Sequence, residues 1–168
     1  MSAETYDKPS DDLIRVVNEF IERSFRDAVR DLTPMKLQKL VYFAQGWSLA
    51  LAGKPLFNDP IEAWQFGPVV KTLYRRLKRY GRSSIKDYLR PENSDPLMLE
   101  AKAEGERKIV EEVWRVYKNY SGCALVTLTH NEGTPWSVAV EQADNAFGAE
   151  INREVIREYF AQKYMDGK

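Results

Sequence analysis

One cysteine, Cys123, and one histidine, His130, are all that the 168 residues offer of either type. A single cysteine excludes an internal disulfide framework, and the pair is too few for a zinc site, which needs three or four ligands. No apolar run is long and uninterrupted enough to span a bilayer. Met1 to Pro9 is polar and lacks the apolar core of a secretion signal. No glycine cluster resembles a phosphate-binding or dinucleotide fingerprint. An excess of one charge is also missing: Lys plus Arg is 25, Asp plus Glu is 25, and the formal net charge is zero. That argues against a surface built wholly for nucleic acid. Internal repeats and low-complexity tracts are absent. What is left is a reduced, cytoplasmic protein with no expected cofactor or metal and no expected membrane contact.

Apolar residues are plentiful, at 43% with 12% aromatic, enough for the core of one domain. The stretch from Thr33 to Gly53 organises the rest. Thr33 suits an N-cap and Pro34 the first helical position, where a missing N–H costs nothing. From Leu37 to Ala52 apolar residues lie on nearly every side, which predicts a buried helix. Gly46 weakens a helix relative to alanine, so its expected compensation is the close approach of another helix. Gly53 fits the C′ position and Pro55 prevents continuation.

Before this helix, Met1 to Pro9 reads as a mobile tail. Ser10 caps an amphipathic helix with Leu13, Val17, Phe20, Ile21, Phe25 and Ala28 at helical spacing. After it, Ile61 to Phe66 suggests a short strand or β-hairpin. Gly67-Pro68 is expected to turn the chain into a third helix, with Val70, Leu73, Tyr74, Leu77 and Tyr80 inside and Lys71, Arg75, Lys78, Arg79 and Arg82 outside. Ser84 to Asp87 resembles a capping box opening a short helix that Pro91 stops. Leu99 to Tyr120 reads as a long helix, followed by a shorter one to Thr129. Thr134-Pro135 repeats the start signal of Thr33-Pro34, Ala146 to Glu150 reads as a loop, and Asn152 caps a last helix. The sum is a mainly α protein. It has a single compact domain of six to eight helices over residues 10–165, behind a tail at residues 1–9.

Candidate sites are few. Cys123 and His130 are seven residues apart, so one helix would face them the same way. No nucleophile elbow accompanies them, and His130 reads first as a structural ring that caps a helix end or satisfies a buried group. The Lys71-to-Arg82 stripe suits phosphates or an acidic protein partner, against the plainer reading of a solvated face. Trp47, Trp64, Phe66, Trp114 and Trp136 form a heavy aromatic set. Most belong to a core, but Trp64, Phe66 and Trp136 sit on short segments and suit partner anchors.

Four pieces in register resemble one family. Met35-Lys36-Leu37-Gln38-Lys39-Leu40-Val41-Tyr42-Phe43-Ala44-Gln45-Gly46-Trp47 is similar to the signature of the Panacea domain, which includes phage-associated GepA proteins and SocA-type antitoxins. Gly53 to Phe57, Ile61 to Val70 with Gly67-Pro68, and Leu128-Thr129-His130 with Pro135-Trp136 match in order. The resemblance spans Asp12 to Ala143. In it Lys36, Gln38, Lys39, Tyr42, Gln45, Gly46, Trp47, Gly67, Pro68, His130 and Pro135 are motif positions, expected to be structural.

The resemblance implies a bacterial or prophage antitoxin, not an enzyme. It would bind a toxin encoded by the adjacent gene and neutralise it, either by sequestration or, as in the SocA branch, as an adaptor handing it to the ClpXP protease. Met1–Pro9 or Tyr164 to Lys168 would then be the tail that touches the unfoldase. The expected partner surface is Trp64, Phe66, Lys71, Arg75, Lys78, Arg79 and Trp136. Ten residues ahead of the first helix imply a bare domain, which lowers the case for DNA binding. Two other readings remain: a nucleic-acid-binding regulator of its own operon through the basic stripe, and an enzyme using Cys123 or His130.

Overall fold

The computed structural model describes residues 8–91, 94–99 and 104–167. Among these, seven α-helices surround a small antiparallel sheet. Ser10 caps α1 (Asp11–Arg26), its hydroxyl accepting the Leu13 N–H, with Asp11 and Asp12 in the first turn where the helix dipole favours them. Of the expected N-terminal tail, residues 1–7 lie outside the described residues, and Pro9 is buried.

The central helix, α2 (Pro34–Ala52), starts and stops as its sequence dictates. Thr33 accepts the Lys36 N–H, Pro34 takes the first position, and Gly53 adopts a left-handed φ of 69°. It is buried on almost every side because it packs against α1, the hairpin, and three later helices: α4 (Glu104–Tyr117), α5 (Gly122–His130) and α7 (Arg153–Met165). Gly46 meets the ring of Phe160 on α7, the close approach its sequence position calls for. Leu37, Leu40 and Val41 of α2 join Leu13, Phe20, Trp114 and Phe160 in one core. Each such side chain contributes about 1.5–3 kcal/mol by leaving water.

The sheet is β2 (Gly67–Val70), β1 (Ile61–Trp64) and β3 (Ala149–Glu150), in that order. Ile61 faces Val70 and Trp64 faces Gly67, so Gln65 and Phe66 form the turn. Neither has positive φ, whereas Gly67 does, at 107°. An ordinary turn followed by a left-handed glycine gives the strands their twist. Asn152 caps α7 as expected, and α6 (Pro135–Gln142) begins at its Thr-Pro signal.

Four local expectations are corrected. Gly67-Pro68 does not start a helix: it opens β2, and α3 (Lys71–Leu77) begins after Val70, followed by a short 3-10 turn at Lys78–Tyr80. Val70 stays extended because the Gln38 side chain of α2 pairs with its backbone. Residues 84–91 form no helix. The Ser84 hydroxyl bonds the Arg30 carbonyl and the Ile85 N–H reaches Leu32 O at 2.9 Å, so the segment is drawn out along the α1–α2 link. α4 is described from Glu104 and ends at Tyr117, short of Tyr120, while residues 100–103, where the expected helix would run on from Leu99, lie outside the described residues. Ala149–Glu150 is a strand because the Gly148 and Ile151 N–H groups donate to Ala63 O and Ile61 O on β1.

Candidate functional site

Helices α1 and α2 carry three buried amide side chains, and each serves as a splint for a segment that lacks regular partners. Gln38 donates to Val70 O at 3.0 Å and accepts the Val70 N–H at 2.9 Å. Gln45 accepts the Leu56 N–H and donates to Phe57 O, both at 2.8 Å. Asn18 accepts the Leu89 N–H and donates to Leu89 O and Leu97 O. An amide matches a peptide group atom for atom, so each satisfies main-chain groups that burial would leave unpaired. Two of the three, Gln38 and Gln45, are motif positions.

The two motif lysines are also buried. Lys36 donates to Asp31 Oδ1 at 2.8 Å and to Lys118 O at 2.6 Å. Lys39 donates to Pro68 O at 3.1 Å, and among the described residues no carboxylate forms an ion pair with it. Burial without a counter-charge lowers its ammonium to about 7. Gly67 makes room for it: a Cβ there would stand 2.7 Å from Lys39 Cε and 2.8 Å from Thr129 Oγ1. Tyr42 and Trp47 turn their rings to the edge of Phe160.

The hairpin is gripped from its other side by α5 and α6. His130 at the end of α5 has Nδ1 2.7 Å from Val126 O and Nε2 3.0 Å from Gln65 O. Trp136 in the first turn of α6 donates its indole N–H to Trp64 O at 2.7 Å, and its ring lies 3.8 Å from that of His130. Pro135 fills the buried first position of α6. The turn is therefore fixed through its carbonyls, while its side chains are left outside.

Of those side chains, Phe66 is 57% exposed. Trp64 is half-buried, with its indole N–H on Glu62 Oε2 at 2.7 Å and its ring 4.7 Å from Tyr74. Tyr74, expected inside, is 40% exposed, and Lys78 Nζ stands 5.8 Å above its ring. Together with Pro34, Met35 and Val69, the residues Trp64, Phe66 and Tyr74 line a groove of about 360 Å³ whose inner wall includes Gln38 and Lys39.

The expected partner residues therefore divide. Trp64 and Phe66 come together on this groove with Tyr74 and Met35, which were not among the expected partner residues, and Lys78 stands over the Tyr74 ring. Lys71 is exposed near the start of α3. Arg75 and Arg79 line a separate cleft. Trp136 spends its polar atom inside, on the hairpin. A signal for Met35 and Tyr74 existed in their apolar character, but nothing local separates an exposed aromatic on a helix from a buried one.

Cys123 is exposed near the start of α5. Both nitrogens of His130 are directed at backbone oxygens, so the ring is not placed as a base for that thiol. Among the described residues, no group of three or more His, Cys, Asp or Glu is placed to hold a metal ion. Among them, too, no helix is long and apolar enough to cross a membrane.

The family model described as "Antitoxin SocA-like, Panacea domain" matches residues 37–137, from the first core residue of α2 to the first turn of α6. The matched span holds Gln38, Lys39, Gln45, Gly67, His130 and Trp136. Antitoxin SocA of Caulobacter vibrioides (strain NA1000 / CB15N) is 30% identical over 164 residues, covering 93% of this chain and 86% of the relative. No solved structure matches.

Proposed function

The chain belongs to the SocA-like, Panacea-domain antitoxin family, and on that footing we propose that it neutralises a protein toxin by direct contact through the hairpin tip and its groove. The toxin is the product of the adjacent gene. One observation carries the choice of surface: Phe66 sits on a turn whose flanking carbonyls are hydrogen-bonded to the body, and it projects 57% exposed on an apolar groove. An aromatic anchor fixed before contact is what interface hot spots require, since little ordering remains to be done on binding. Trp64, Tyr74 and Met35 complete the apolar centre, and Lys78, over the Tyr74 ring, sets a charge beside it.

The neutralised toxin is then either held or delivered to ClpXP. Delivery needs a second contact, and Tyr164 and Met165 in the last turn of α7 are exposed apolar candidates for it. Expression of the adjacent reading frame with and without this chain tests both steps. Restored growth with a stable, co-purifying neighbour means sequestration. Restored growth with a neighbour whose half-life shortens only when ClpXP is present means delivery. In either case Phe66→Asp should abolish rescue while leaving the fold intact, and undiminished rescue by that variant would refute the surface. A neighbour that is harmless alone would refute the toxin.

A further inference from the structure

Across α3 from the hairpin groove lies a second concavity, of about 700 Å³. Five cations line it, Arg75, Arg76, Arg79, Lys86 and Arg90, against one acid, Asp87. This is a steep local imbalance in a chain whose charges otherwise cancel. Helical spacing puts Arg75, Arg76 and Arg79 on one wall. The other wall is the extended segment at 86–90, anchored to α1 by Asn18 at Leu89 and by the Tyr88 hydroxyl on Glu22. Arg76 crosses between the walls to Arg90 O at 2.8 Å. The floor is apolar: Phe25, 45% exposed, edge-on to Tyr88 at 5.5 Å.

We propose that this cleft binds a carboxylate-rich segment of the toxin, with one apolar side chain of that segment seated on Phe25. The inference rests on the toxin-binding reading and deepens it by naming the partner's chemistry. Guanidinium forks match carboxylates two bonds at a time, and an anion entering the cleft relieves the repulsion among its own cations. A single-stranded nucleic acid would need open aromatic faces on which to stack bases. Here the Arg79 guanidinium lies 4.8 Å over the Tyr80 ring, and Phe25 is the one exposed ring of the cleft lining, room for one side chain and not for a run of stacked bases.

Fluorescence anisotropy with three probes decides the matter: a short glutamate-rich peptide carrying leucine, a single-stranded oligonucleotide of the same charge, and the purified product of the adjacent gene. Each is titrated with wild type, with Arg79→Glu/Lys86→Glu, and with Lys108→Glu/Arg157→Glu, which makes the same charge change on α4 and α7. The peptide and the gene product should both bind the wild type and the α4/α7 variant, with affinity falling as salt rises. The cleft variant, with an unchanged circular dichroism melt, should bind each about tenfold or more weakly. Peptide binding that the cleft variant leaves unchanged, or an oligonucleotide that binds more tightly than the peptide, would overturn the proposal. A gene product that ignores the wild type while the peptide binds overturns the toxin reading instead, and with it this occupant.

Discussion

The bare Cα of Gly46 lies against the ring of Phe160, so closely that a Cβ at position 46 would stand 2.7 Å or less from three of its ring atoms. Two requirements therefore meet at one residue. Helix propensity alone favours alanine there by about 1 kcal/mol, but the α2–α7 contact forbids it. Gly46→Ala should destabilise the protein by about 1–3 kcal/mol, the usual cost of overpacking. Phe160→Leu in the same chain should recover part of that loss. Urea unfolding of the two single variants and the double variant measures the coupling, and a Gly46→Ala protein as stable as wild type would contradict the packing.

Lys39 predicts a pH dependence. Its folded value is about 7 and its ordinary value 10.5. Between the two, the unfolded chain binds a proton that the folded chain lacks, so stability rises with pH from about 7. Below 7 both states are protonated and the folded state bears the full burial penalty. The window closes near 10, where tyrosines whose folded values are raised, Tyr88 to about 12 among them, begin to act in the opposite sense. Lys39→Met should flatten the profile between about pH 7 and 10, apart from a constant loss of about 1 kcal/mol for the orphaned Pro68 carbonyl. Denaturant midpoints at a series of pH values test this.

Gln38→Ala strands the N–H and C=O of Val70 in a buried site. An unsatisfied buried group costs about 1–3 kcal/mol, so the variant should unfold at correspondingly lower urea. Amide exchange should accelerate at Val70 before it does in α1, because β2 loses the partner on its outer edge.

Cys123→Ser should leave toxin neutralisation and stability within error of wild type, since the thiol is exposed. His130→Ala should instead loosen the turn, removing the ring from Val126 O and Gln65 O. Protection of the amides at residues 65 and 66 should fall, while α1 keeps its own. Loss of neutralisation on Cys123→Ser would revive a catalytic reading.

Much of the fold was legible because its signals are local. The Thr-Pro starts of α2 and α6, the caps Ser10 and Asn152, and Gly53 each act within one turn. The glycine at 46 even announced a neighbour, though not which one. What local pattern missed was set by distant groups. Ser84 to Asp87 has the chemistry of a helix start, but bonds to Arg30 and Leu32 hold it extended. Val70 has the apolar character of a helix face, but Gln38 holds it in a strand. Tyr74 follows helical core spacing, yet its side of α3 faces the hairpin tip and solvent. The motif polar residues were recognisable as a set, but their common task, bonding main chain across 11 to 82 residues of sequence, has no local signature.

Among the described residues, the side-chain hydrogen bonds from α2, α5 and α6 that seat the hairpin end on main-chain atoms: the carbonyls of Trp64, Gln65 and Pro68, and both groups of Val70. None consults the side chain of residue 65 or 66. The body of the molecule thus works as a tool holder with an interchangeable bit. Substitutions at those two positions should leave the seating untouched, so the face that the tip presents can change without the body being rebuilt.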